Sequence, residues 1–233
     1  MHAQPIYLWF LTLSYSMVIV LANWFDPRLI NIFGLNTDAG TLIFPLTFLL
    51  ADLITEVYGF KYARRAIWCG FLFNALFIVY GQIVIHMPSP AYPTNNAMFD
   101  TLLSTNARII IASALSYLIS EPLNSITLAK LKIKMKGKYL GVRFVTSTVI
   151  ASGVDSVIFT VIAFYGSMTN IHLMYLILSM WFIKVLIEVL GLPLSIRLAK
   201  KLKTIERLDI YDKKTNFNIF SLDTHYTDKD NAY

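Results

Sequence analysis

Six long apolar runs constrain this chain more than any other feature. Each is about 18–25 residues long, the length that crosses the hydrocarbon core of a bilayer as a helix. The sequence lacks the short alternating segments of a membrane β-barrel. Of its 233 residues 56% are hydrophobic and only 15% are charged, whereas about 25% of the residues of a soluble domain are charged. We therefore predict an all-α integral membrane protein built as a bundle of six transmembrane helices.

The predicted spans are bounded by turn residues and by clusters of charge. They cover residues 6–25, 41–58, 66–85, 107–128, 144–165 and 173–198. The longest loop, residues 86–106, contains three prolines. We expect one transmembrane domain over residues 1–199, followed by a polar tail over residues 200–233.

Lysine and arginine predict the orientation of the bundle. With the N-terminus inside, 17 of the 20 basic residues lie on the cytoplasmic side, as the positive-inside rule requires. Both termini are therefore predicted to be cytoplasmic, in a multi-pass membrane protein. A net charge of +6 could suggest nucleic acid, but these basic residues flank apolar runs, so we expect the lipid bilayer as partner and no nucleic acid.

Polar residues recur at helical spacing inside the predicted spans. The fourth span carries Ser113, Ser116, Ser120, Asn124 and Thr127, and the fifth carries Thr148, Ser152, Asp155 and Ser156. One interpretation is that small and hydroxyl side chains let membrane helices pack closely. The other is that they line a polar path through the bundle.

Ionisable side chains inside the spans point more strongly to function. Glu121, Asp155 and Lys184 fall near the middle of three different spans, whereas Asp52 and Glu56 lie nearer the cytoplasm. A charge at the bilayer centre costs roughly 2.5–3.5 kcal/mol even on insertion scales, and such residues are usually functional. Three of them at one depth predict a shared hydrated cavity, where transporters commonly bind their substrates.

A structural alternative accounts for the same charges. Lys184 and Glu188 are one helical turn apart and could pair, while protonated acids hold the helices together. Pro122 directly follows Glu121 and either breaks the helix at a site or only kinks it for packing.

Motifs of other function classes are missing from the sequence. It contains no P-loop, no HExxH and no GxSxG. The single cysteine, Cys69, excludes an intrachain disulfide and a cysteine metal cluster, and the four histidines are scattered over termini and loops. We expect no enzyme activity, no metal and no cofactor.

Two signatures and a tail pattern resemble the queuosine precursor transporter family. The first signature consists of Phe44-Pro45, Asp52, Glu56-Val57-Tyr58-Gly59 and Ala63-Arg64-Arg65. The second is SGVDSVIF at residues 152–159, and the intramembrane Lys184 fits as well. The tail contains Asp209-Ile210-Tyr211-Asp212 and Thr215-Asn216-Phe217-Asn218, with Ile219 where the family pattern has proline.

The resemblance implies a multi-pass importer in the bacterial inner (plasma) membrane. Its expected substrates are 7-deazaguanine precursors of queuosine, such as 7-cyano-7-deazaguanine and 7-aminomethyl-7-deazaguanine. Asp155 or Glu121 would accept hydrogen bonds from the donor edge of the base, Lys184 and Asn124 would donate to its acceptors, and Trp181 would stack on the ring. The expected substrate-binding residues are Glu121, Asn124, Ser152, Asp155, Ser156, Trp181, Lys184 and Glu188. Asp52 and Glu56 would line the cytoplasmic exit or carry a proton.

Other functions remain open at this stage. The chain could transport another vitamin or nucleobase, or it could be a substrate-binding subunit that needs a partner protein. A membrane enzyme would require a nucleophile or a metal set, which the sequence does not supply. The large apolar surface of six short helices is compatible with a homodimer.

Overall fold

The computed structural model describes residues 5–92, 94–104 and 107–233. Six helices in this part of the chain are long and apolar enough to cross a membrane, which confirms the all-α membrane fold. The first four residues of the predicted domain, and Pro93, Thr105 and Asn106 of the predicted loop, lie outside the described residues. The helices are α1 (Leu8–Phe25), α2 (Pro45–Tyr58), α3 (Phe60–Ile85), the short α4 (Asn96–Ser104), α5 (Ala107–Lys134), α6 (Leu140–Phe164) and α7 (Asn170–Glu206).

Three helices extend into basic segments that the sequence analysis assigned to loops or the tail. Helix α3 already begins at Phe60, α5 continues to Lys134, and α7 reaches Glu206, seven residues past the predicted domain boundary. Lysine and arginine are good helix formers, so these helices continue where the hydropathy falls. Helix α5 is also continuous through Pro122. Of the two interpretations of this proline, the broken helix is therefore excluded and the packing role remains.

Helix α2 lies at the centre of the bundle. It is the most buried of the six candidate spans, and it packs against α1, α3, α5 and α7. Helix α5 packs along α6, which in turn packs along α7. Polar residues on α2, α5, α6 and α7 therefore face a common interior.

A single glycine separates α2 from α3. Gly59 has a φ of +87°, a conformation that costs glycine little and other residues much more. A Cβ atom at this position would also lie 2.4 Å from the Tyr226 hydroxyl oxygen and 2.7 Å from Ile210 Cγ2. Gly59 thus permits both the sharp turn and the close approach of the C-terminal tail.

A β-hairpin that the sequence analysis did not predict covers the end of the bundle between α1 and α2. Strands β1 (Leu29–Ile32) and β2 (Leu35–Asp38) are antiparallel, and a 3₁₀ turn, Gly40–Leu42, leads from them into α2. The Ser179 hydroxyl of α7 donates to the Asn36 carbonyl, which ties the hairpin to the bundle. The predicted topology places this end outside the cell.

The C-terminal tail packs against the opposite end of the bundle. The Asp212 carboxylate accepts hydrogen bonds from the Phe60 backbone N–H at 3.0 Å and from the Tyr226 hydroxyl at 2.6 Å. Arg64 of α3 donates to the carbonyls of Asn216 and Asn218. The polar segment after α7 is therefore an integral part of the folded structure.

Candidate functional site

Nearly all residues predicted to form the site are buried. Trp181 is the exception, with 36% of its surface exposed. No more than 3% of the surface of any other predicted residue is exposed: Asp52, Glu56, Glu121, Asn124, Ser152, Asp155, Ser156, Lys184 and Glu188. Buried polar groups at these positions require partners or a function.

Trp181 packs against α6 near Val149 and Gly153. Its indole Nε1 donates to the Val149 carbonyl at 3.0 Å, and it contributes nothing to the polar cavity described below. In this conformation the ring is not placed to stack on a ligand in that cavity. Two other aromatic side chains, Phe44 and Phe159, line the cavity instead.

Lys184 and Asp155 form an ion pair between α7 and α6. Lys184 Nζ lies 2.5 Å from Asp155 Oδ2, and both side chains are buried. Ser120 of α5 donates to the other carboxylate oxygen of Asp155 at 3.1 Å, and Lys184 Nζ is 4.8 Å from the centre of the Phe44 ring. The alternative pairing of Lys184 with Glu188 is therefore wrong, because the lysine bonds across to α6.

A small polar cavity lies beside this ion pair. Its free volume of about 10 Å³ has room for about one water molecule, so a bicyclic base needs a rearrangement to enter. Glu121 does not line it. The lining residues are Asp26, Asp38, Thr41, Phe44, Ser113, Ser116, Asp155, Phe159, Met180 and Lys184.

Two acidic residues of this cavity were missed by the sequence analysis. Asp38 accepts hydrogen bonds from the Thr41 backbone N–H at 2.6 Å and the Thr41 hydroxyl at 2.7 Å. Asp26 lies close by, and a Cβ atom on Gly40 would fall 1.8 Å from its Oδ1. Both acids lie in a connection between spans, where hydropathy gives no reason to expect burial. They are buried because the hairpin that ends at Asp38 and the turn at Gly40 pack against the end of α1, which the sequence analysis did not predict.

Deeper in the bundle, two carboxylates each have one oxygen satisfied. Thr47 of α2 donates to Glu121 Oε1 at 2.8 Å. Asn124 of α5 donates through Nδ2 to Asp52 Oδ1 at 2.6 Å. These bonds link α2 to α5 and bring the predicted residues Asp52, Glu121 and Asn124 to one interface.

Many of the remaining polar atoms here have no hydrogen-bond partner among the described residues. A buried polar atom without a partner costs about 1–3 kcal/mol, and more when it is charged. The structure therefore leaves acceptors available to a ligand that brings donors. Among the predicted site residues, the unpartnered atoms are Asp52 Oδ2, Glu121 Oε2, Asn124 Oδ1, Ser152 Oγ, Ser156 Oγ and both carboxylate oxygens of Glu188.

Glu56 lies in a different environment, at the end of the bundle that packs against the tail. Arg143 of α6 binds its two oxygens at 2.5 and 3.0 Å, and Lys203 of α7 lies 2.5 Å from Oε1. Lys132 of α5 donates to the Glu56 main-chain carbonyl at 2.6 Å. The charge that was predicted to line an exit is thus held by cations from three helices.

Asp209 of the tail completes this ion-pair cluster. Its Oδ1 lies 2.6 Å from Lys132 Nζ and 2.7 Å from Lys203 Nζ. Burial raises the pKa of Asp209, but the two lysines outweigh burial and hold the pKa below its ordinary value. The tail carboxylate is therefore ionised at neutral pH and joins the tail to α5 and α7.

These groups form a polar column along the bundle. It begins at Asp26 and Asp38 beside the hairpin, continues through the Lys184–Asp155 pair and the partly satisfied acids, and ends at the ion-pair cluster around Glu56. Four helices contribute to it, namely α2, α5, α6 and α7. Chemically the column can accept hydrogen bonds and compensate positive charge in its middle.

Comparison with known proteins places the chain in a family. The model of the family described as "Putative vitamin uptake transporter" matches residues 38–198, and no solved structure matches. A "Probable queuosine precursor transporter" of Bacillus subtilis is 26% identical over 191 residues, covering 81% of this chain and 82% of that protein. A second "Probable queuosine precursor transporter", from Haemophilus influenzae, is 31% identical over 138 residues. The match covers 59% of this chain and 56% of that protein.

A third relative, from Escherichia coli, is named "Queuosine precursor transporter". It is 28% identical over 163 residues, covering 69% of this chain and 70% of that protein. The family match spans the central α2, the α5–α6 pair and most of α7. The chain therefore belongs to the vitamin uptake transporter family, as its resemblance to queuosine precursor transporters predicted, and it is a multi-pass membrane transporter and not an enzyme.

Proposed function

We propose that this protein imports 7-deazaguanine precursors of queuosine, such as 7-cyano-7-deazaguanine and 7-aminomethyl-7-deazaguanine, across the bacterial inner membrane. The names of the three relatives support this substrate class. The polar column supplies a route of matching chemistry, because these bases carry a ring N–H and an exocyclic amine on one edge.

One observation carries the proposal. The unpartnered buried acceptors lie on α2, α5, α6 and α7, the helices that pack around one interior. Such atoms are rare in folded proteins and are expensive in a membrane. A substrate rich in hydrogen-bond donors would satisfy them at the moment of binding.

The carboxylate oxygens that still lack a hydrogen-bond partner indicate how the base would be recognised. Glu121 keeps Oε2 available, whereas both oxygens of Asp155 already have partners in Lys184 and Ser120. We therefore assign the donor edge of the base to Glu121. The hydroxyls of Ser152 and Ser156 can act as donor or acceptor, and Lys184 can donate to the carbonyl of the base once the substrate opens the cavity.

The aromatic partner in this scheme is Phe44 instead of Trp181. Phe44 is buried beside Lys184 and precedes Pro45, at the start of α2. A flat base could stack on its ring, with Phe159 on the other side of the cavity. Trp181 would enter the scheme only if transport turned its ring inward.

Transport requires the column to open in turn towards each side. The hairpin acids would form the outer closure, and the cluster around Glu56 would form the inner one. Substrate binding in the middle would then weaken one closure at a time, as alternating access requires.

The test is restoration of queuosine in transfer RNA. A cell that makes no precursor and lacks its own uptake route is given the labelled precursor and this protein. Queuosine should appear, and it should fall sharply with Asp155→Asn, because Lys184 loses its counter-ion. Uptake at the unaltered rate by Asp155→Asn, at equal expression, would remove Asp155 from the scheme. Liposomes containing only the purified protein should also take up precursor, and failure there would indicate a required partner subunit.

A second candidate substrate class is another vitamin or nucleobase, because the family description names vitamin uptake. Competition for uptake distinguishes the two. Deazapurines should compete at far lower concentrations than purines or unrelated vitamins if the proposal is right. The reverse order would favour the second candidate.

A further inference from the structure

Glu188 and Asp52 form an acidic pair in the middle of the polar column without a cation. Only 2% of Glu188 is exposed, and Asp52 is fully buried. Both oxygens of Glu188 and Oδ2 of Asp52 lack a partner among the described residues. They belong to α7 and α2, which pack together, and each carboxylate lies within electrostatic range of the other.

Asn124 adds a neutral acceptor to this acidic pair. Its amide nitrogen donates to Asp52 Oδ1 at 2.6 Å, while its own carbonyl oxygen is buried and unpartnered. The amide is thus oriented to present an acceptor beside the two carboxylates. Three side chains from three helices therefore offer unpartnered acceptor atoms: Asp52 Oδ2, Asn124 Oδ1 and both carboxylate oxygens of Glu188.

The cations nearest in the fold are engaged elsewhere. Lys184 lies one turn from Glu188 on the same helix, but it is bound to Asp155 at 2.5 Å. At the cytoplasmic end Arg143, Lys132 and Lys203 surround Glu56 and Asp209. When ionised, the acidic pair therefore carries uncompensated negative charge, which is costly in a low-dielectric interior unless a cation arrives.

We propose that Glu188, Asp52 and Asn124 form a subsite for a primary ammonium group carried by the substrate. The inference rests on the proposed function and deepens it. Of the two precursors, only the aminomethyl compound has such a group, so the transporter selects it over the nitrile. An ammonium brings three donors and a positive charge, whereas a nitrile brings neither.

The spacing along the helices suits such a ligand. Glu188 lies four residues beyond Lys184, and Asn124 three residues beyond Glu121, in both cases towards the predicted cytoplasmic side. Four residues advance about 6 Å along a helix axis. A base held at the level of Glu121 and Lys184 could therefore reach the acidic pair with a one-carbon arm from its five-membered ring.

Paired uptake measurements with the two precursors test the subsite. Proteoliposomes that contain the unaltered protein are given labelled aminomethyl or nitrile compound, each with the other as competitor. The aminomethyl compound should be preferred by about tenfold or more, as expected from charge-assisted hydrogen bonds. Glu188→Gln should abolish this preference by lowering uptake of the amine and leaving uptake of the nitrile within about twofold.

Ser195→Ala is the matched control on the same helix. Ser195 is buried, but its hydroxyl bonds only the Gly191 carbonyl one turn earlier, so its loss should leave both rates unchanged. The melting temperature of each variant is measured first. If Glu188→Gln does not accumulate, Asp52→Asn tests the same subsite by the same criteria.

Each of three results would overturn this inference and leave the proposed function standing. They are a preference of the unaltered protein for the nitrile, an equal loss of both substrates in Glu188→Gln, and unchanged selectivity with loss of dependence on a proton gradient. The last would make the pair a proton site. Import of neither compound by the unaltered protein would overturn the proposed function itself, and the two failures are thus distinguishable.

Discussion

Glu56 and Glu188 are both fully or almost fully buried, yet their surroundings are opposite. Glu56 is bound by Arg143 and Lys203, with Lys132 3.8 Å away. Neither carboxylate oxygen of Glu188 has a partner among the described residues. Burying a charge is tolerable when partners compensate it, and it is costly when they do not. The comparison therefore fits a structural role for Glu56 and the binding role that we propose for Glu188.

The same contrast extends to the two ends of the column. At the tail end, Lys132 and Lys203 each lie close to both Glu56 of α2 and Asp209 of the tail, and Arg143 binds Glu56. Separating α5, α6 and α7 there would therefore break several ion pairs together. In the middle, few bonds join the helices, and the acids are only partly satisfied. A ligand that supplies donors can therefore change the packing of the middle far more easily than it can change the cluster.

The largest effect is expected from removing a cation of the cluster. Arg143→Met would leave the buried Glu56 carboxylate with only its lysine partners. Breaking a buried ion pair by deleting one partner typically costs roughly 3–5 kcal/mol, so the purified variant should melt at a much lower temperature and accumulate poorly. The measurement is thermal unfolding in detergent. Unaltered melting of Arg143→Met would remove the structural role assigned to Glu56.

The opposite outcome is expected in the middle of the column. Glu121→Gln removes a carboxylate with one unpartnered oxygen, so its melting temperature should stay the same or rise. Uptake should fall by about tenfold or more, because the donor edge of the base loses a charged acceptor. Initial rates of labelled precursor uptake at matched protein levels provide the measurement. If Glu121→Gln instead melted at a lower temperature and kept its initial uptake rate, Glu121 would have the structural role that we assign to the ion-pair cluster.

The sequence alone was enough to predict the spans and several residues of the column. Six apolar runs were enough to predict the spans, because crossing a bilayer imposes length and composition together. Helical spacing and intramembrane charge identified residues of the column such as Asp155, Lys184 and Asn124. Those signals depend only on position along one helix.

Features that depend on contacts between distant segments were not predictable in this way. Asp38 enters the column because its hairpin folds against the bundle, and Asp26 because the end of α1 lies against the turn at Gly40. Glu56 meets Arg143 and Lys203 across three helices. Trp181 has the same helical spacing as Lys184, but the rotation of α7 sets its ring towards Val149. A one-dimensional pattern cannot report such a rotation or the partner of a charge.

A smaller effect is expected where the tail joins the cluster. Asp209→Asn would weaken bonds to Lys132 and Lys203, and we expect a loss of about 1 kcal/mol, as is common for partly exposed ion pairs. Because the pKa of Asp209 is depressed in the folded protein, its contribution is present above the ordinary aspartate pKa and is lost as the pH falls through the lowered value.

Limited proteolysis of the tail measures this contribution. Cleavage of the unaltered protein after α7 should change little between pH 8 and pH 5, since Asp209 stays ionised throughout about that range. The Asp209→Asn protein should be cleaved faster across the same range. A steep rise of cleavage in the unaltered protein between pH 7 and pH 6 would show that another group controls docking of the tail.

The smallest effect is expected from Trp181→Phe. The variant loses one hydrogen bond to the Val149 carbonyl, and such bonds between membrane helices are worth about 0.6 kcal/mol. The apolar ring remains at a partly exposed position on α7, so melting temperature and uptake should both stay close to those of the unaltered protein. Phe44→Leu, made for comparison, should weaken uptake because it removes the ring beside Lys184. If Trp181→Phe instead abolished uptake in a protein of normal stability, α7 would have to rotate during transport, and the unpartnered state of Glu188 would belong to one conformation of the cycle and not to the site as a whole.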